Sequence, residues 1–506
     1  MAIFVDALPY DVCLEILKWS SVGDLTRLSQ VSKRYHELVE NDGWRRYVRQ
    51  NARYLPSLSK LIPYWSPREC ARYVYLSDLA WSTRTLQATL LSGAHDNPRS
   101  WQVPSRALSL SESVLVTSSG PDLEIFDFEP GAKHEGHSAS WIFHSLRLGI
   151  GPNRAESHIC GITVVPGSIW ASPNQDVEIC IARETTLTRV RILRPSRGGR
   201  IAGDGAATAS DVQVTATYQR PRNPSSIQLL TSSRHLIMTI SNDCTLSLYD
   251  SSSPWVPPRN FKPPRSGDKK NVWCAQLSLT ASTPFVAFGG SIPLSLYTLE
   301  NFESQRNAFA VLSDESNYPP SAYSLCRPSG DSTAEVSPPW GSTDQVIASG
   351  WHDGIVRFHD LRSDHRDKEG SLLPVLRLDD KTSPGGALYC LAIGGGGGTH
   401  VVGGRANHGI VSIWDLRNVN GTIYDFDQLG SNDNAHIAGG GWSVFPPQSN
   451  WSPTYNLALE GSRIWGVGNQ GVFLMDFSPR GQLEDTNYII PTVINHNAER
   501  SIVVNP

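Results

Sequence analysis

The sequence predicts a small all-α module followed by an all-β propeller, most simply one of seven blades. Three observations carry this. An apolar pattern of helical period is confined to the stretch from Leu8 to about Tyr47. Past residue 80 the period changes to alternation, as in half-buried strands. One short strand signature, apolar and ending in an aromatic or apolar residue and often Asp, then recurs seven times.

In the first stretch Leu8-Pro9 opens a helix, where a proline fits the first turn. Val12, Ile16 and Trp19, with Leu17 beside them, make one apolar face. Ser20 to Asp24 breaks the helix, and Asp24 is expected to cap the next. Leu25, Leu28 and Val31 form a second stripe. Ser32 is placed to cap a third segment carrying Tyr35, Leu38 and Val39, and Trp44 anchors the end. Three such short helices bury too little surface to stand alone, so the unit must dock on a neighbour or a partner. Residues 45–80 remain rich in Arg, Tyr and Leu, with breaks at Pro56, Pro63 and Pro67, and read as short connecting helices.

The third strands read Leu123–Asp127, Leu187–Val190, Leu246–Asp250, Leu294–Tyr297, Val356–Asp360, Val411–Asp415 and Val472–Asp476. Second strands precede them at Val114–Thr117, Val177–Ala182, Leu236–Ile240, Phe285–Gly289, Val346–Gly350, His400–Gly403 and Ile464–Val467. A lone four-stranded sheet leaves a face bare; radial stacking covers both faces, and ring closure protects the edges. Residues 83–91 alternate and are expected to add the outer strand of the last blade. Insertions such as Arg197–Ala207 and Asp331–Pro339 stretch the spacing. The expected domains are 1–47, 48–80 and 81–506.

Composition narrows the function classes. With 44 Lys and Arg against 48 Asp and Glu, net charge −4, nothing draws the chain to nucleic acid or an anionic membrane. The basic group Lys262, Arg265, Lys269 and Lys270 reads as a solvated loop. The eight cysteines form no C-x-x-C pair, and several lie in apolar strands, as buried thiols of a reducing compartment do. The start MAIFVDALPYDV is no signal peptide, and no apolar run reaches the ~18 residues of a membrane span. A cytoplasmic or nuclear protein is expected. The run Gly394–Gly398 lacks a following Gly-Lys-Ser/Thr and reads as a flexible hairpin turn, not a phosphate loop. Neither Gly-x-Ser-x-Gly nor His-Glu-x-x-His occurs, and the 14 histidines, His134 and His137 among them, show no metal-ligand spacing. No catalytic residue, metal or cofactor is expected.

The order Leu8-Pro9-Tyr10-Asp11-Val12, Ile16-Leu17, Asp24-Leu25, Leu28, Val31 to Tyr35, Leu38-Val39 and Trp44-Arg45 resembles an F-box, with Asp11 where that family more often carries Glu. Gly350 to Arg362 and Gly409 to Arg417 resemble WD repeats, with Trp414-Asp415 as the full dipeptide. Ala387 to Leu391 and Val472 to Phe477 look similar to the dactylin branch of F-box/WD-repeat proteins. The resemblance implies an F-box that binds the Skp adaptor of a cullin-based SCF ubiquitin ligase. It implies that Leu8, Pro9, Val12, Ile16, Leu17, Leu25, Leu28, Val31, Leu38 and Trp44 lie at or beneath that interface. The propeller would hold a client protein, making the chain a non-catalytic recognition subunit. The alternatives are an F-box scaffold that works without ubiquitination and a propeller enzyme with an appended hook.

For the client, the expected first strands place an aromatic at one repeat position: Trp273, Tyr323, Tyr389 and Tyr455, three of them in the form Tyr-x-Leu. These rings would form an arc at one mouth of the channel, where aromatics make good hot spots, or else serve inter-blade packing. The turns between second and third strands bring Arg183, Asn242, Trp351, His352, Arg405 and Asn469 to one face. Related proteins read phosphate there with arginines; only Arg183 and Arg405 fit that place, short of a dense phosphate pocket.

Overall fold

The computed structural model describes residues 8–51, 65–93, 107–111, 114–119, 122–130, 141–149, 159–165, 176–192, 212–219, 225–263, 271–300, 307–313, 321–326, 344–380, 385–396, 398–418, 437–439, 441–447, 452–469 and 471–478. The long insertions expected at Arg197–Ala207 and Asp331–Pro339, the lysine pair Lys269-Lys270, and His134 and His137 lie outside these.

Among the described residues five α-helices come first: α1 (Tyr10–Lys18), α2 (Val22–Ser29), α3 (Lys33–Leu38), α4 (Trp44–Asn51) and α5 (Pro67–Thr83), with a π-helical turn over Val39–Gly43. Helix α2 is capped by Ser21, not by Asp24. Asp24 sits three residues in and returns a hydrogen bond to the Ser21 backbone, closing a capping box. Ser32 caps α3 as expected. Pro67 does not break a helix; it opens the 17-residue α5, behind a second capping box of Ser66 and Glu69. The short helices expected up to residue 80 therefore end in one long rod.

The first half of α5 completes the core of the helical module. Cys70, Ala71, Tyr73 and Val74 pack with Cys13, Leu17, Leu25, Tyr35, Leu38, Val39, Trp44 and Val48. The buried side of α1 is thus Cys13 and Leu17. The face picked out by periodicity, Val12, Ile16 and Trp19, points to solvent, with Trp19 74% exposed.

Seven antiparallel four-stranded sheets follow, one with a fifth strand. The inner strand of each begins the blade: β2 (Leu108–Ser111), β6 (Ile159–Val164), β10 (Ile227–Ser233), β14 (Val272–Ser278), β18 (Ala322–Cys326), β22 (Leu388–Gly394) and β27 (Thr454–Glu460). Each lies beside the inner strand of the next blade, and β27 lies beside β2, so the ring is closed. All seven second strands and all seven third strands fall where the alternation puts them. The closing strand is β1 (Gln87–Gly93), which pairs antiparallel with the third strand of the last blade, β29 (Gly471–Asp476), Gln87 opposite Asp476. The short strand β25 (Ile437–Gly439) pairs parallel with β21 (Leu376–Asp379) and covers the outer edge of the fifth blade. Hydrophobic clusters fill each gap between blades, as between Phe285, Leu294, Ile347 and Trp351.

No described helix is long and apolar enough to cross a membrane. Among the described residues no three His, Cys, Asp or Glu side chains gather as metal ligands would.

Candidate functional site

Two surfaces stand out at opposite ends of the propeller. On the first, six of the seven inner strands carry a break in register near their start, a β-bulge. The residue skipped by the ladder is Cys160, Gln228, Trp273, Tyr323, Tyr389 and Tyr455 in turn. A bulge adds a residue without a partner and re-aims its side chain. The four aromatics use that freedom to stack on one another across four blades. Ring centroids are 4.4 Å apart for Trp273 and Tyr323, 5.3 Å for Tyr323 and Tyr389, and 6.4 Å for Tyr389 and Tyr455, with planes within 30° of parallel. All four rings are half-buried, so they are not sealed between the blades.

The bulges are tied to their neighbours. Cys274, next to Trp273, donates its thiol to the Ala322 carbonyl at 3.4 Å. Ser324, next to Tyr323, donates to the Leu388 carbonyl at 3.0 Å, and Cys390, next to Tyr389, to the Thr454 carbonyl at 3.3 Å. Each bond runs from just after one bulge to the residue before the next. Burial pushes the Cys274 thiol up to about 12 and that of Cys390 up as well, so both stay protonated and donate. The cysteines in apolar strands therefore brace the aromatic arc. The signal that pointed to it was the aromatic followed by a small donor, Trp273-Cys274, Tyr323-Ser324 and Tyr389-Cys390.

The turns around this mouth divide differently from the sequence expectation. Arg405 is 1% exposed and does not reach the surface. Its Nε donates to Ser412 Oγ, one terminal nitrogen to the Gly385 carbonyl, and the other lies 3.6 Å from the buried Asp380 carboxylate. Asp380 in turn accepts from Ser412 and Ser443. Trp351 is also fully buried and donates to Ser349. Both are corrections: these side chains hold their blades together. Asn242 is exposed; Arg183, His352 and Asn469 are half-buried. Burial lowers the pKa of Arg183. The structure thus does not bring the two arginines together at the surface, and the phosphate-reading pair is absent from it.

The second surface is at the other end of the inner strands. Here the second half of α5 seats the helical module. Trp81 is buried, donates its indole N–H to the Gly461 carbonyl at 3.2 Å, stacks on Phe477, and packs against the His400 ring at 4.5 Å with the planes tilted by 31°. Tyr73 and Ser462 share a buried hydrogen bond of 2.9 Å. Arg417 bridges Asp78 of the helix and Asp415 of the sixth blade, both at 3.0 Å. The glycine run expected as a flexible turn is part of this seat. A Cβ on Gly395, whose φ is +73°, would meet the Trp81 ring at 2.6 Å. Strand β27 runs from the arc, at Tyr455, to the seat, at Gly461, so the two surfaces are roughly 20 Å apart.

On the helical module, Tyr10, Val12, Ile16, Trp19 and Val31 are exposed apolar side chains, from 40% for Val12 upward, and Pro9 is exposed with them. Leu8 and Leu28 are half-buried. Leu17, Leu25, Leu38 and Trp44 lie in the module's core. Of the ten residues expected at or beneath an interface, then, four face water, two straddle the boundary and four lie beneath. Tyr10 and Trp19 join the exposed set.

Residues 5–50 match the family model described as F-box-like. No curated protein matches the chain. Among solved structures, the chain is similar to Sqt1 of Chaetomium thermophilum bound to the N-terminus of the ribosomal protein L10, at 16% identity over 73% of this chain and 83% of that one, TM-score 0.43. It is also similar to the WD40 β-propeller domain of Doa1, at 11% identity over 78% and 98%, TM-score 0.44. The chain is thus an F-box-like helical module joined to a seven-bladed propeller, an arrangement typical of non-catalytic adaptors.

Proposed function

We propose that the chain is the substrate-recognition subunit of an SCF-type cullin ubiquitin ligase, placed in the cytoplasm or nucleus and near the dactylin branch of F-box/WD-repeat proteins. The observation that carries this is the set of exposed apolar side chains, Val12, Ile16 and Trp19 on one side of α1 with Pro9 before it and Val31 after α2, on a module whose core is already sealed by α5. Water-facing apolar side chains clustered on a finished domain mark a surface for a partner. In an F-box-like module that partner is a Skp-type adaptor, through which the cullin is reached.

Helix α5 joins the module to the propeller through buried contacts, so the client face is held at a fixed distance from the adaptor. The chain then works by proximity. It keeps a client's lysines near a charged ubiquitin carrier and raises their effective concentration without chemistry of its own.

The test is affinity purification of the intact chain beside an Ile16→Asp, Val31→Asp variant. Both positions are exposed, so the variant keeps the core. Burying two unpaired carboxylates in an apolar interface should lower adaptor affinity at least ~30-fold. Recovery of adaptor and cullin with the intact chain alone supports the ligase reading. Recovery of the adaptor without cullin favours the scaffold, and recovery of neither sinks both.

A further inference from the structure

The aromatic arc has a chemistry of its own, set by what surrounds it. The six bulge residues, Cys160, Gln228, Trp273, Tyr323, Tyr389 and Tyr455, include no ionised group. Among the described residues, several charges in the neighbouring turns are paired within the fold. Asp353 pairs with Arg357 at 2.7 Å, Asp243 with Lys262 at 3.5 Å, and Arg405 with Asp380. Among the described residues, a phosphorylated or acidic segment would find no cluster of unpaired positive charge at the arc.

The arc is nonetheless rich in donors. Among the described residues the indole N–H of Trp273 and the hydroxyls of Tyr323 and Tyr389 have no hydrogen-bond partner. The rings spend their faces on one another, and as half-buried side chains they keep part of their edges open to solvent. The complement of such a surface is a chain that is uncharged, presents apolar flanks and offers acceptors without donors. Proline-rich peptide has this character: each proline keeps its carbonyl and lacks an N–H. Its polyproline II form is extended, with carbonyls directed outward and little entropy left to lose.

We propose that the stacked rings of Trp273, Tyr323, Tyr389 and Tyr455 are a docking ridge for an uncharged, proline-rich segment of a partner protein. The rings supply contact area, and Trp273, Tyr323 and Tyr389 donate to the segment's carbonyls. The inference deepens the recognition reading above by naming the kind of segment held, but the ridge itself does not depend on the adaptor.

Fluorescence anisotropy of the full chain with a labelled polyproline peptide of about ten residues tests this, since three turns of the helix cover the ridge. A Gly-Ser peptide and a phosphoserine peptide of equal length are the comparators. The expected result is saturable polyproline binding that exceeds both comparators. Tyr323→Ala with Tyr389→Ala should weaken it at least ~10-fold. Tyr323→Phe with Tyr389→Phe keeps the rings and removes two donors, and should weaken it by about five- to tenfold, a change that packing alone would not produce. No polyproline binding, equal binding to the Gly-Ser peptide, preference for the phosphoserine peptide, or indifference to ring removal would each overturn the proposal. Thermal unfolding of each variant separates loss of binding from loss of fold. Skp-type adaptor capture by the same variants separates the two proposals: peptide binding without adaptor capture removes the ligase reading and leaves the ridge, and the reverse removes the ridge alone.

Discussion

Trp81 stacks on Phe477 with ring centroids 3.7 Å apart and planes 9° from parallel. One ring belongs to the helix that leads into the propeller, the other follows the last strand of its last blade. The contact welds the entry of the ring to its exit and carries the helical module with it. Replacing Trp81 by Ala removes one of the largest fully buried side chains and should cost about 3–5 kcal/mol. Chemical denaturation gives the loss, and limited proteolysis should show cleavage moving to α5.

Gly395 faces the same ring. Gly395→Ala places a methyl 2.6 Å from the Trp81 ring at a φ of +73°, so it suffers both a clash and a disfavoured backbone. Gly370→Ala, with φ +86° and open space around it, suffers only the second, about 1–2 kcal/mol. The difference between the two in thermal stability measures the seat itself. Equal losses would mean that Trp81 yields without penalty.

The buried pair of Arg405 and Asp380 should answer as structure. Asp380→Ala strands a guanidinium at 1% exposure and should cost about 3–5 kcal/mol in denaturant unfolding. Removing the anion also takes away an acceptor that Ser412 and Ser443 share.

Acid should weaken the fifth blade. His359 is fully buried, and burial, with the nearby Arg357 charge, pulls its pKa from 6.5 down to about 4, against its bond to the Ser313 carbonyl. The folded state therefore holds it neutral while the unfolded chain takes up a proton first. Its contribution is complete above the unfolded value and is lost as pH falls from about 6.5 towards 4. Between pH 7 and pH 5 this amounts to about 2 kcal/mol. In His359→Gln that part of the pH dependence should vanish from the denaturation midpoints, whatever the change in stability at pH 7.

The blades were legible because alternation and turn residues mark each strand locally. The closing strand was legible for the same reason, although its partner lies at the far end of the chain. Other features depend on tertiary partners. Helix α1 is apolar on two sides, Cys13 and Leu17 on one, Val12, Ile16 and Trp19 on the other, and periodicity alone does not tell which the chain itself covers. Arg405 reads as a surface turn residue until Asp380, on the preceding blade, is seen to reach it. The bulges leave no mark in composition, so the aromatic position was visible and the device that aims it was not. Gly395 looked like slack because Trp81, which fills the space above it, is hundreds of residues away.

The pairing of Gln87 with Asp476 also fixes an order of events in synthesis. Strand β1 leaves the ribosome before the other described strands of the propeller, and its partner β29 leaves after them. Until then β1 is an orphan edge, able to pair with any passing strand. Bringing the two ends together defers the entropy of closing a very long loop to the final step, and topologies with such distant contacts fold slowly. The helix just before β1 lacks its seat for the same interval, since Gly461 and Phe477 arrive with the last blade. A chain released short of Thr454 lacks the Gly461 and Phe477 part of the seat, the partner of β1 and the last inner strand, and remains an open arc of blades. Synthesis of the last blade is thereby the event that makes the module and the propeller one body.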